Sequence, residues 1–294
     1  IQGKDPRYII MPFTPTYHPL TSYLRPLTIL SSALFLIAIH QQLLHHFLAP
    51  ILYIETAYVF IFYFVWKLSL RHCGIFRNPT VPGKRGWPLE TMFSALVHQC
   101  ATVLVFLIAV SQFLKQNQDQ PLRQSLFQWW STGFVAPYSW NIRFWDKLSL
   151  TMQLAEMYSD FIMYGTYDGF DLGYWAHHVL TFVAVMMVYC SGLPVGNGVF
   201  YASILEGGSI ALNYNNMYPS KWGFRMRAIC YACSRGVGTL ILPLSMYWSW
   251  TLPRSVYPVN FITHAPLVAI LLLNFVWLNA MIKTQLEVER KRMQ

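Results

Sequence analysis

Two adjacent histidines, His177 and His178, stand in the run DLGYWAHHVLTFVAVMMVYCSG, which is apolar enough to cross a bilayer. The apolar run before it carries Glu156, Asp160 and Tyr164, the run after it Glu206 and Asn213, and the next one Arg235. Ionisable groups at membrane depth are costly and by default mark a site. Helical spacing puts Glu156 and Asp160, four apart, on one face, and Glu206 and Asn213, seven apart, on another. Neighbouring histidines point about 100° apart, so at most one aims squarely at the centre of a bundle. Three consecutive spans with acids, histidines and an amide point to one polar cavity.

The chemistry open to these types is nucleophilic attack or general-base work by an imidazole. A carboxylate, Glu206 or Asp160, would fix the tautomer and stabilise an imidazolium. Asn213 could donate to a developing oxyanion. Arg235, or the cluster Lys221, Arg225 and Arg227, could hold phosphates. Against these stand plainer roles: histidines bonded to backbone carbonyls, Glu156 and Asn213 as helix–helix contacts, and a structural Glu206–Arg235 pair. Gly207 and Gly208 leave room beside Glu206 for a helix or a lipid chain.

The chain has 294 residues, 55% hydrophobic, 17% aromatic and only 11% charged. A soluble domain carries about 25% charged residues. Apolar runs of roughly twenty residues, separated by short polar or Pro-rich pieces, are the mark of a polytopic helical membrane protein. The ten-residue alternation of membrane strands is absent. The fold class expected is all-α, with about eight transmembrane helices. They run from about 26–47, 50–70, 90–114, 148–167, 172–191, 195–218, 224–250 and 261–282. Residues 1–25 form an N-terminal arm, 26–70 two helices, 71–89 a basic cytosolic loop and 283–294 a cytosolic tail. A kink is expected at Pro243. The aromatic stretch 115–147 is expected to lie in the interface or to re-enter the membrane.

With both ends placed in the cytosol, that side holds 15 of the 21 Lys and Arg, the far side five, and Arg235 lies within a span. This bias supports the topology and accounts for much of the +9 charge without nucleic acid. The five cysteines read as small core residues, and the pair Cys230 and Cys233 lacks the second pair a zinc site needs. His40, His45 and His46 with His177–His178 fall short of the spaced boxes of di-iron enzymes, so no metal is expected. Neither a Gly-rich phosphate loop nor a G-x-S-x-G elbow occurs. No cleavable signal pattern is visible.

On the ordered set Tyr158 and Asp160, then His177–His178, then Glu206 and Asn213, the chain resembles the TLC domain family, which includes the ceramide synthases. Its six-helix core would cover 90–282. Gly208 stands where the family has Ser, with Ser209 one place later. Leu205–Glu206 stands where ceramide synthases carry His-Asp, and Asn213 where they carry Glu, so the resemblance is to the broader family. It implies an acyl-CoA-dependent acyltransferase that moves a fatty acyl chain onto a lipid amine or hydroxyl, with coenzyme A thioester as donor. The site it implies is catalytic His177, His178, Glu206 and Asp160, with Asn213, Arg235, Glu156 and Tyr164 on the substrate. A non-catalytic lipid-binding, sensing or trafficking protein is the alternative, and a transporter the third. The partners implied are membrane lipid and acyl-CoA, with a homodimer compatible and no nucleic acid. The tail KRMQ resembles a retrieval signal and points to the endoplasmic reticulum.

Overall fold

The computed structural model describes residues 51–73, 89–131, 144–165, 172–191, 195–218, 220–250 and 257–293. Among them are eight helices and no strand: α1 Ile51–His72, α2 Leu89–Gln116, α3 Leu122–Ser131, α4 Phe144–Tyr164, α5 Leu172–Ser191, α6 Val195–Met217, α7 Lys221–Trp250 and α8 Tyr257–Met293. Seven coincide with expected runs, and α8 continues as helix through the tail. The expected first span, the arm and most of the basic loop lie outside the described residues.

By length and composition three helices can cross a membrane: Leu89–Gln116 in α2, Trp222–Trp248 in α7 and His264–Thr284 in α8. A shorter apolar stretch, Leu172–Met186, lies in α5. The helices that fall short are partly those that carry the polar residues. α4 is the clearest case: it is buried almost continuously from Asp146 to Asp160, polar positions included. It touches α1, α2, α5 and α6, so its polar residues meet protein rather than solvent or lipid. α6 packs chiefly on α7 and α2, and α8 on α5 and α7.

The α6–α7 contact is close because Gly208 has no side chain: a Cβ there would run into Ser234 and Arg235 of α7. The space at Gly208 is thus taken by a helix, not a lipid chain. Gly196, in the first turn of α6, is tighter still. A Cβ would lie 2.7 Å from the backbone Cα of Trp130 in α3, and closer to the Trp129 carbonyl oxygen. Backbone cannot step aside as a side-chain tip can, so Gly196→Ala should destabilise the protein by at least about 1–3 kcal/mol, the range for overpacking. In an exposed helix the same change would stabilise. Thermal unfolding of the purified protein in detergent checks the sign.

Of the aromatic stretch, α3 packs its tryptophans into the bundle. Trp129 and Trp130 are both buried. Their rings meet Phe106, Phe200, Tyr201 and Trp248 at centroid distances of 5.0–6.3 Å. Trp129 Nε1 donates to Asp146 Oδ1 at 3.0 Å, which satisfies the indole that burial would otherwise strand. The cysteines depart from expectation. Cys100 and Cys233 are exposed, and Cys73 and Cys230 are half-buried, so none of these four is a core residue. An apolar environment outside the bundle accommodates a thiol as readily as the core does.

Candidate functional site

The two adjacent histidines are sent into different surroundings. His178 is buried between α5 and α4. Its Nδ1 lies 3.0 Å from the carbonyl oxygen of Tyr174, and its Nε2 3.1 Å from Asp160 Oδ2. A carbonyl and a carboxylate can only accept. Both contacts are hydrogen bonds at once in the imidazolium form, in which both ring nitrogens carry hydrogen.

Asp160 also accepts from Lys67 Nζ of α1, in a short contact. Lys67 is fully buried and pairs with Glu156 Oε2 at 2.8 Å. In that form Lys67, Glu156, Asp160 and His178 make a quartet of two bases and two carboxylates whose charges balance. Its neutrality is what makes it tolerable at this depth, since an isolated buried charge costs several kcal/mol. Lys67 is thus not one of the loop cations that set orientation, as its place at the end of an apolar run implies. It docks α1 onto α4.

His177 points elsewhere. It lines a cavity with Gln153 of α4, Glu206 of α6, and Leu267 and Ile270 of α8. Its Nδ1 has no hydrogen-bond partner, and its ring lies across Trp277 at 5.3 Å. Two helical stripes form the cavity walls. On α5 they are His177, Thr181, Ala184, Val185 and Val188; on α6, Asn197, Gly198, Tyr201, Ala202, Leu205 and Glu206. The three-and-four spacing keeps each stripe on one face. The cavity is small: the centre of a water molecule can range over only about 60 Å³ of it. Since one water needs about 10–15 Å³ by that measure, it has room for a few waters.

Glu206 reaches this cavity without a counter-charge: it makes no ion pair or hydrogen bond among the described residues. Arg235, the partner expected of it, is occupied. Nη1 donates to the Leu205 carbonyl at 2.6 Å and to Ser234 Oγ at 2.8 Å. Nη2 donates to Ser209 Oγ at 3.0 Å and to Asn274 Oδ1 at 3.3 Å, and the guanidinium stacks on Tyr231 at 3.6 Å. Arg235 clasps α6, α7 and α8 behind the cavity, within electrostatic reach of both His177 and Glu206.

The remaining expected site residues are spread more widely. Asn213 is buried and donates to Gln99 Oε1 of α2 at 3.0 Å, away from the cavity lining. Tyr164 is fully buried against Met92 and Met163, with Lys67 Nζ 5.9 Å from its ring centre. Glu156 and Asp160 lie in the quartet. Of the basic cluster at the start of α7, Arg225 is exposed and Arg227 stacks on Phe224 at 3.9 Å.

Three polar residues that no motif singled out join the site. His98 of α2 is buried, with Nδ1 2.7 Å from the Tyr63 hydroxyl of α1 and Nε2 3.4 Å from Thr102 Oγ1. Gln153 Nε2 donates to Thr102 Oγ1 at 3.2 Å, so a chain of hydrogen-bonding groups leads from Tyr63 to the cavity wall. Glu206 is in electrostatic reach of Tyr63 and His98. Lys67, His98 and Gln153 each interrupt a largely apolar run, the one signal by which the sequence could flag them. Near the other end of the cavity, Ser245 Oγ lies 2.9 Å from Asn197 Oδ1 and 3.0 Å from His264 Nε2.

Compared with protein-family models, with curated proteins and with solved structures, the chain matches none. Function therefore has to be argued from the site.

Proposed function

We propose that the cavity is an acyl-transfer site within a membrane protein, and that His177 is its nucleophile or general base. The observation that carries this is the contrast between the two imidazoles. The hydrogen bonds of His178 consume both of its nitrogens, whereas His177 lines a cavity together with the unpaired Glu206 and keeps its Nδ1 without a hydrogen-bond partner.

With Nε2 carrying the hydrogen, Nδ1 of His177 has a lone pair for the carbonyl carbon of a thioester. The C–N bond forms, the C–S bond breaks with its electron pair on sulfur, and the Nε2 proton passes to the thiolate. An acceptor amine or hydroxyl then attacks the acyl carbon, the C–N bond breaks, and the acceptor's proton returns through Glu206 to the ring. The quartet positions His177 through its neighbour His178 and does not touch the acyl group. Asp160 and Glu156 take that positioning part, and Arg235 braces the helix that carries Glu206.

On this proposal the chain is an eight-span protein with a TLC-like core over 90–282, both ends cytosolic, residing in the endoplasmic reticulum. Acyl-CoA is its donor and a lipid amine or hydroxyl its acceptor. A lipid-binding protein without catalysis is favoured by one observation, the largely apolar lining of the cavity. Intact-mass spectrometry separates the two. Purified protein mixed with acyl-CoA and quenched within seconds should gain the mass of one acyl group, and His177→Ala should not. Retention of acyl-CoA or its acid without adduct or free thiol would establish the binder instead.

A further inference from the structure

We infer that a surface groove between α3 and the end of α7 binds one molecule of phosphatidylcholine, with the phosphate on Arg123 and the choline against Phe127, Tyr247 and Trp248. The groove is separate from the His177 cavity and does not depend on the chemistry proposed there.

The groove has a volume of about 440 Å³ and is lined by Pro121, Arg123, Gln124, Phe127, Tyr247 and Trp248. That is ample for a small-molecule group. Its depth in a bilayer follows from α7, whose membrane-crossing stretch Trp222–Trp248 ends at the groove wall. The groove therefore lies at headgroup level, just outside the hydrocarbon. Arg123 is exposed and makes no ion pair or hydrogen bond among the described residues. Among those residues no acid lines the groove. One free guanidinium at the end of a span suits one phosphodiester, which its planar fork can grip through paired N–H donors.

The aromatic rings choose the headgroup. Phe127 meets Trp248 edge to face at 5.4 Å, and Trp248 meets the buried Trp130 at 5.4 Å, so this wall is braced from inside the bundle. Tyr247 is exposed beside it. A trimethylammonium group has no N–H to donate and is drawn to aromatic rings. Ethanolamine, serine, glycerol and inositol headgroups carry donors that call for acceptors. Among the described lining side chains only the Gln124 carbonyl and the Tyr247 hydroxyl can accept. The lipid tail also has a bed. Val237, Leu240, Leu244 and Tyr247 are exposed on α7, and their spacing of three, four and three keeps them on one face. From Val237 to Tyr247 the helix rises about 15 Å, the depth of one leaflet of a hydrocarbon core about 30 Å thick. A chain descending from the groove meets apolar side chains as far as the midplane.

The probe is phosphatidylcholine with a diazirine on an acyl chain close to the glycerol. It is photolysed with the full chain in detergent, and the labelled peptides are sequenced. Label should concentrate on α3 and on α7 from Leu244 to Tyr247. Unlabelled phosphatidylcholine in excess should displace it, and phosphatidylglycerol at the same excess should not. Arg123→Gln should lower the label there by about tenfold, the worth of one hydrogen bond between charged groups. Arg123→Lys, which keeps the charge, should lose less. The outer face of α1, with Tyr58 and Phe62 exposed, reports unspecific lipid contact and should be labelled equally in all three proteins. Unchanged melting temperatures show that the variants fold. Label spread evenly over the outer faces of α1 and α7, or label at the groove indifferent to Arg123→Gln, overturns the site. Displacement by phosphatidylglycerol as complete as by phosphatidylcholine overturns the choline assignment and with it the occupant.

Discussion

Lys67→Met should be the most damaging single substitution in the protein, with a loss of about 3–5 kcal/mol, the usual cost of removing one partner from a buried ion pair. The methionine fills much the same volume, so lost packing is not the cause. What remains is Glu156 and Asp160 with only His178⁺ between them, an uncompensated negative charge in a fully buried place. Lys67 also fixes the seat of α1. That helix exposes Tyr58, Ile61, Phe62, Val65 and Leu68 on its outer side and holds the bundle by its inner side. Among the described residues, Lys67 is the charge that pairs α1 with α4. The second substitution that discriminates is Lys67→Met with Glu156→Gln, which leaves the neutral pair Asp160–His178⁺. It should recover at least about 1 kcal/mol relative to Lys67→Met, a coupling within the range for contacting residues. Melting temperature and the monodisperse fraction after size exclusion measure both. If Lys67→Met melts like the parent, α1 does not lock onto α4 through this charge.

Helix positions were legible in the sequence because they follow from hydropathy and Pro, and α5 and α6 begin and end within a residue of the expected places. Partnership was not legible, since it depends on which faces meet. Lys67 looked like an end-of-span cation because four residues later the chain turns basic, yet a turn of helix is enough to carry it inside. Arg235 and Glu206, opposite charges on consecutive spans, looked like a pair; the Leu205 carbonyl and Ser209 hydroxyl take the guanidinium instead. That Asp146 takes the Trp129 indole N–H inside the bundle was not legible either, because composition says nothing of which neighbours meet. The facing stripes on α5 and α6 could be written down from the sequence; that they enclose a cavity between them could not.

The largest effect on activity is expected at His177, and its contrast with His178 decides the proposed chemistry. His177→Ala should lower acyl transfer by about 10²–10⁴-fold, the usual contribution of a positioned acid–base group. It should change stability by no more than about 1 kcal/mol, since the ring borders a void and its Nδ1 makes no hydrogen bond. His178→Ala should behave oppositely. It removes a positive charge from the quartet and takes the charge-assisted bond from Asp160, so about 3 kcal/mol or more of stability is lost, with activity falling as folded protein is lost. Adding Asp160→Asn to His178→Ala leaves Lys67⁺ with Glu156⁻ and should restore much of the stability. Adding it to His177→Ala should restore nothing. Transfer measured per folded molecule, beside melting curves for the four variants, separates these outcomes. Full transfer by His177→Ala, with loss confined to a normally stable His178→Ala, would reverse the two assignments. Equal destabilisation by both would make the whole dipeptide architectural.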